Sequence, residues 1–366
     1  MHRTGPEFDV VVIGAGPAGS SAAITAARSG ATVALLEAGE FPRHKVCGEF
    51  VSAESLHILR DLLQPVPKAD RVLRAAPAIQ QVRLLLDQST VMARVLPPAL
   101  SIPRYELDFL LWQAAQPAGV YTRSNCEVSA VYGNGPFQID TSAGTLEASA
   151  VVIAAGRWSR FTPRNSIPSG PRWIGLKAHF RESQPPSTTD LYFFEHGYCG
   201  VQPVSTDGVN ACAMVRSDRA TALEEVFTIH PALAMRSRNW QALTEPVTTA
   251  PLIYRTPRPV DGHLMFVGDA AAFIDPFVGD GISIALHTGR FAATEVELFL
   301  RGSIPLADAV ASYDARYRKQ IVPLIAAASR IRALLSWPKV ARLAAFEFLR
   351  VPGVMPYVIR RTRQSA

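Results

Sequence analysis

Near its start the chain carries a short, unbroken apolar run, residues 8–13 (FDVVVI), dominated by β-branched side chains. A run of this length without polar alternation predicts a strand buried on both faces of a parallel sheet. Residues 14–19 then form a small-residue turn. Residues 20–29 read as a helix of small residues, and residues 31–36 (ATVALL) as a second buried strand ending at Glu37. The same order returns late in the chain. A strand over 263–267 leads through Gly268-Asp269 and the loop Asp275-Pro276-Phe277 to a long amphipathic helix beginning near Gly281. Between these units, residues 104–116 read as a helix and 126–154 as a β-meander. Strand-like runs follow at 173–181, 191–195, 200–204, 209–215 and 246–254, with a helix-like stretch over 221–240.

The first turn matches G-x-G-x-x-G, and each part has a physical role. Gly14 permits the tight turn, Gly16 lets a pyrophosphate approach the backbone, and Gly19 lets the helix pack close to the sheet. Pro17 and Ala18 complete the loop. The helix start offers free N–H groups and a partial positive charge to phosphate. Glu37, followed by Ala38, stands 18 residues past Gly19, where an acid accepts hydrogen bonds from an adenosine ribose. An acid there favours a free 2′-hydroxyl, so FAD or NAD rather than NADP, without choosing between them.

The second turn makes that choice. Gly268, Asp269, Ala270, Pro276, Gly279 and Gly281 resemble the second fingerprint of the flavoprotein hydroxylase superfamily, which includes aromatic-ring hydroxylases, flavin halogenases and geranylgeranyl reductases. The resemblance covers most of the chain and implies bound FAD. It implies that Asp269 bonds the ribityl chain and that the helix starting at Asp280, Gly281 and Ile282 points its positive end at the flavin O2 edge. It also places Arg104 near the FAD; otherwise that arginine serves only its own helix. Hydroxylases of the superfamily usually carry Asp-Gly where this chain has Ala155-Gly156. That departure tells against direct reduction by a pyridine nucleotide and points to the geranylgeranyl-reductase-like and dehydrogenase branch.

A non-periodic loop at 41–52 concentrates chemistry: Arg43, His44, Lys45, Cys47, Gly48 and Glu49. Its K-x-C-G-E pattern is similar to that of geranylgeranyl reductases. Cys47, Gly48 and Glu49 are the candidate catalytic residues and ring neighbours, Cys47 being otherwise a small buried side chain. Arg43 and Lys45 face the pyrophosphate or a reductant, or merely solvent; Glu49 and His44 are the acid–base candidates. Tyr198 to Pro203 lies where halogenases carry W-x-W-x-I-P, and lacking those tryptophans the chain is not expected to halogenate. Tyr192, Phe193, Phe194 and Tyr198 either line a hydrophobic pocket or belong to plain core.

Composition changes the picture in two places. The four cysteines, at 47, 126, 199 and 212, have no CxxC spacing, so neither a metal site nor a disulfide framework is expected and a reducing cytoplasm is. The net charge of +6 is lopsided: from Tyr313 onward eleven Lys and Arg face two acids, a net of +9, leaving −3 for the rest. This basic tail, which also carries Leu334, Leu335, Trp337, Phe346, Phe348 and Leu349, is either a solvated helical face or a contact for an anionic membrane periphery. No nucleic-acid motif accompanies it.

These readings converge on an α/β fold: a Rossmann-like FAD-binding domain of glutathione-reductase type, an inserted antiparallel-sheet substrate domain and a C-terminal helical tail. The expected boundaries are 1–76, 101–170 and 258–312 for the first, 77–100 and 171–257 for the second, and 313–366 for the tail. The expected function is FAD-dependent oxidoreduction of a hydrophobic small molecule by a monomer or homodimer. Hydroxylation of an aromatic or polyketide-like substrate through a flavin C4a-hydroperoxide comes first, as the commoner activity of the superfamily. Hydride transfer to or from a C=C bond of an isoprenoid or lipid-like substrate is the alternative, and a non-enzymatic carrier the third. NAD(P)H or a separate reductase is the expected electron donor.

Overall fold

The computed structural model describes residues 6–157, 161, 172–249, 251–335, 337–351, 353–355 and 358. The expected domain boundary at 170–171 and the last residues of the tail lie outside them.

Two sheets organise the chain. Phe8–Ile13 forms the centre of the first because its Val and Ile side chains are buried on both faces. It pairs in parallel with Val33–Leu36 on one side and Gly144–Ile153 on the other. Tyr121–Arg123 and Leu264–Phe266 extend the parallel core at its two ends. The predicted meander hangs from this sheet as antiparallel Val128–Gly133, Phe137–Thr141 and Gly144–Ile153.

The second sheet has the strand order Val247–Thr249, Trp173–Arg181, Gly208–Arg216, Gly197–Pro203, Thr188–Phe194, Ala78–Leu86, Ser89–Ser101, Phe50–Val51. It is antiparallel except where Thr188–Phe194 runs parallel to Ala78–Leu86. Residues 77–100, expected in this sheet without strand bounds, form the hairpin Ala78–Leu86/Ser89–Ser101, and Phe50–Val51, from the loop at 41–52, closes the sheet's edge.

Three local expectations change. The first helix, Pro17–Arg28, begins at the proline, whose missing N–H and fixed φ suit a first helical position. The stretch 221–240 divides into Leu223–Ile229 and Pro231–Ser237. His230 precedes a proline and is held extended at φ −109°, ψ 123°, because the proline ring crowds the helical conformation of its neighbour. Of the strand expected at 246–254 only Val247–Thr249 forms among the described residues.

The helices of the two fingerprints, Pro17–Arg28 and Gly281–Leu300, lie directly against each other. A Cβ at Gly289 would stand 2.1 Å from the Ala18 carbonyl oxygen, so no other residue fits. Ser21 Oγ donates to the Leu286 carbonyl at 2.7 Å across this contact. Leu306–Gln320 then returns to the sheet, with buried Tyr313 donating its hydroxyl to the Phe266 carbonyl. Val322–Leu335 adds Leu324, Ile325 and Ala328 to the core of the first sheet, and Lys339–Phe348 reaches strand Ser89–Ser101 of the second.

Candidate active site

The two sheets share one cavity of about 930 Å³. Its polar end is the first fingerprint. Gly14, at φ 101°, turns the chain beneath Ala154; a Cβ there would stand 2.5 Å from the Ala154 carbonyl. Gly16 starts the helix without any side-chain cap, leaving first-turn N–H groups for an anion. Gly19 faces away from the cavity: a Cβ there would stand 1.8 Å from the Gly14 carbonyl, so its role is close packing, as the sequence implied.

Glu37 is buried at the mouth of this turn. Its Oε2 accepts the Ala15 N–H at 3.0 Å, and its Oε1 accepts the Gly39 N–H at 3.0 Å and Arg43 at 2.9 Å. Burial opposes its charge, but these donors prevail and hold its pKa below the usual value. Each carboxylate oxygen has two acceptor positions, so Oε2 keeps one for a ribose hydroxyl. Arg43, Lys45 and Arg104 gather around the turn, with an Arg104 nitrogen 4.0 Å from where a Gly16 Cβ would stand. Burial disfavours the Arg104 charge, but the Asp108 carboxylate at 2.6 Å outweighs it and raises its pKa. Lys45 is depressed by burial and by its two arginine neighbours. A dianionic pyrophosphate here would relieve that repulsion.

The second fingerprint closes the cavity from the opposite side. Gly268, Asp269, Pro276, Gly279, Gly281 and Ile282 border it, as do Ala38, Ala155 and Gly156. Asp280 does not: it is buried at the start of Gly281–Leu300, its carbonyl accepting from Ile284. Gly48 and Gly156 have nothing within 4 Å of a built Cβ, so bare backbone faces open space, as a flat ring requires. Glycine backbone, an uncapped helix start and three cations together fit FAD.

The flavin loop is anchored in a buried cluster that the sequence did not foresee as one. Lys177 and His179, alternate residues on Trp173–Arg181, both reach Glu49: Lys177 Nζ is 2.8 Å from Oε1 and His179 Nε2 is 2.8 Å from Oε2. The Arg104 N–H also donates to Oε1 at 2.9 Å. Burial raises the Glu49 pKa, but His179 and Lys177 overcome it and hold the carboxylate ionised. Glu49 takes a left-handed backbone, φ 63°, a conformation that costs a non-glycine residue about 1 kcal/mol or more. Glu49, expected as an acid–base group, borders the cavity as an ion-paired carboxylate with both oxygens engaged. His44, stacked on Tyr105, is kept neutral by burial and by the Lys177 charge.

Cys47 borders the cavity, and its sulfur accepts the Glu49 N–H at 3.3 Å. Burial pushes its pKa up despite Arg104 nearby, so it stays a thiol. Polar Lys177 and His179 alternating with apolar neighbours in W-I-G-L-K-A-H-F-R were the available signal. Arg157 was also missed; its guanidinium lies 4.0 Å from the Phe273 ring centre and 4.0 Å from Asp269.

The far end of the cavity is apolar. Leu84, Leu191, Phe193, Phe194, Tyr198 and Phe277 line it from the second sheet and the Asp275–Phe277 loop, and Phe346 and Leu349 from the C-terminal helices. Tyr192 points to the opposite face of the sheet, its hydroxyl 3.3 Å from Arg236. Among the described residues no cluster of side chains is suited to hold a metal, and no helix is long and apolar enough to cross a membrane.

A family model described as pyridine nucleotide-disulphide oxidoreductase matches residues 8–167. Among curated proteins the chain is 26% identical over 380 residues to the menaquinone reductase of Mycolicibacterium smegmatis, covering 96% of this chain and 90% of that protein. It is 26% identical over 340 residues to the digeranylgeranylglycerophospholipid reductase of Methanoculleus marisnigri, covering 85% and 82%. Among solved structures it is similar to a flavin-dependent brominase at 22% identity, with a TM-score of 0.81 over 97% of this chain and 93% of the other. That last likeness is one of fold.

Proposed function

We propose that this chain, a member of the FAD-dependent oxidoreductase superfamily, reduces a C=C bond in an isoprenoid or lipid-like substrate. The observation carrying this reading is the apolar far end of the cavity, whose aliphatic and aromatic walls run on from the fingerprint glycines without a charged side chain among the second-sheet residues that line it. Such walls give a hydrocarbon segment the burial that drives its binding, about 25 cal/mol per Å². The second-sheet walls offer no cation to a charged acid, and an unpartnered buried charge is costly. Two relatives named as reductases, one of menaquinone and one of a digeranylgeranyl lipid, support the reading. It reverses the order that the commonness of hydroxylation suggests from sequence.

FAD, when bound, supplies the hydride or electron chemistry. This chain's residues bind and orient. Arg43, Lys45 and Arg104 hold the pyrophosphate, and Gly48 and Gly156 let the ring lie against the backbone. The apolar walls exclude water from the reacting bond. Cys47, kept protonated by burial, has a proton to give at the cavity surface. Cys47→Ala should then lower turnover at least tenfold while flavin content stays at parental level.

The test is anaerobic mixing of photoreduced, dithionite-free enzyme with a geranylgeranyl lipid, which carries C=C bonds but no quinone ring. The expected result is flavin reoxidation without oxygen and a product heavier by two hydrogens. Reoxidation only in air, with one oxygen gained by the product, would overturn the reading in favour of hydroxylation.

A further inference from the structure

The helix Lys339–Phe348 has two apolar faces. One lines the cavity through Ala345, Phe346 and Leu349, with Arg342 beside them. The other looks outward. Trp337, Val340, Ala344, Phe348 and Val351 recur at spacings of three, four, four and three, and all are exposed, Val340 by 81% and Phe348 by 61%. At 100° per residue Val340, Ala344 and Phe348 lie nearly opposite Ala345, Phe346 and Leu349, and Trp337 and Val351 flank the helix just outside its ends. Apolar stripes on both sides of a helix call for two apolar neighbours. The cavity is one, and among the described residues nothing buries the outer stripe.

The surroundings say what the second neighbour is. The helix is pinned to the start of strand Ser89–Ser101 by Ser89 Oγ donating to Glu347 Oε1 at 2.9 Å and by Arg350 donating to the Thr90 carbonyl at 3.3 Å. From the outer face of that strand project exposed Met92 and Arg94. Residues 313–366 hold a net charge of +9, against −3 for the rest of the chain. A second copy of this chain would bring two such tails together and repel. An anionic surface attracts such a tail, each basic residue near it adding to the pull. Trp and Phe on an apolar stripe suit the boundary between headgroups and acyl chains.

We propose that the outer stripe of this helix docks on an anionic phospholipid bilayer, with the helix standing between membrane and cavity. The two faces then place the apolar end of the cavity one helix thickness, about 10 Å, from the acyl chains. A membrane-borne hydrocarbon substrate reaches the cavity without crossing water.

Flotation of the flavin-loaded full chain with vesicles tests this directly. Binding to vesicles of phosphatidylcholine with phosphatidylglycerol should be at least tenfold tighter than to phosphatidylcholine alone, and should weaken as salt is raised. The double variant Val340→Glu, Phe348→Glu alters only exposed positions and should lose at least tenfold in binding, with flavin absorbance and sedimenting mass unchanged. As an independent readout, brominated phosphatidylcholine should quench part of the tryptophan emission of the parent but not of Trp337→Phe. A parent that stays unbound, or a double variant that floats as well as the parent, overturns the proposal. A double variant that changes sedimenting mass without changing flotation overturns it in favour of a self-association surface. Binding is read without turnover, so this result stands apart from the reaction proposed above.

Discussion

Glu49 shows how a single residue ties the flavin loop to the substrate sheet. Its carboxylate is fully buried between Lys177 and His179. Removing its charge strands a buried ammonium, and breaking such a pair from one side costs about 3–5 kcal/mol. Glu49→Gln should therefore lower the unfolding free energy by about that amount, read by urea denaturation. The pH dependence has a definite sign. The folded pKa lies below the ordinary 4.5, so the ionised group stabilises the fold above pH 4.5, and that contribution is lost as pH falls through the folded value. The Gln variant should lack this acid-side loss. In the sequence, Glu49 was visible as a charged residue in a loop of unusual chemistry. Its partners were not, because they lie some 130 residues away on a strand that only the fold brings beneath the loop. Gly14, Gly16, Gly19 and Glu37 were legible because their chemistry is local: one turn and one strand end.

Among the elements, the C-terminal helices are joined to the second fingerprint by Phe346 packing with Phe273 and Phe277 and by an ion pair to buried Asp275. Arg332, on Val322–Leu335, lies 2.6 Å from Asp275 and stacks over Tyr254 at 3.7 Å. The Tyr254 hydroxyl donates to Asp275 at 3.2 Å. Burial raises the Asp275 pKa from 3.8 to about 7, although Arg332 and Tyr254 pull it down. Between those values the folded chain holds a proton that the unfolded chain has released. Stability from this group is therefore greatest in acid and falls as pH rises from 3.8 to about 7. Asp275→Asn should flatten the thermal-midpoint profile over that window; an unchanged slope would reject the assignment. Elements with a strong period, such as Phe8–Ile13 and Trp173–Arg181, formed within their predicted bounds. The strands of the hairpin Ala78–Leu86/Ser89–Ser101 could not be delimited within 77–100 because Arg83, Arg94 and two prolines interrupt the apolar pattern, and Thr188–Phe194, which pairs with it, is distant.

For the whole molecule, the cavity lies between two sheets, and its flavin end is built from both ends of the chain. A ligand bound there ties the fingerprints, the loop at 41–52 and the second sheet together. Ligand that binds only the folded state stabilises it by about 2.7 kcal/mol at a hundred times Kd. For a chain of this size that corresponds to a rise of several degrees in Tm. Stripping FAD should lower Tm by that amount and re-addition should restore it, measured by scanning calorimetry; an unchanged midpoint would contradict a cradle shared between distant segments.

The contact at Gly289 carries one more consequence. It lets the last-made helix of the cradle rest on the first-made one. A chain leaving the ribosome therefore shows its glycine turn long before the surface that completes it exists. The early segment exposes an apolar helix face of small residues while some 250 further residues are synthesised. Completion of the cradle thus waits for the helix around Gly289, and a nascent chain cut short before it lacks the second fingerprint's packing against the first.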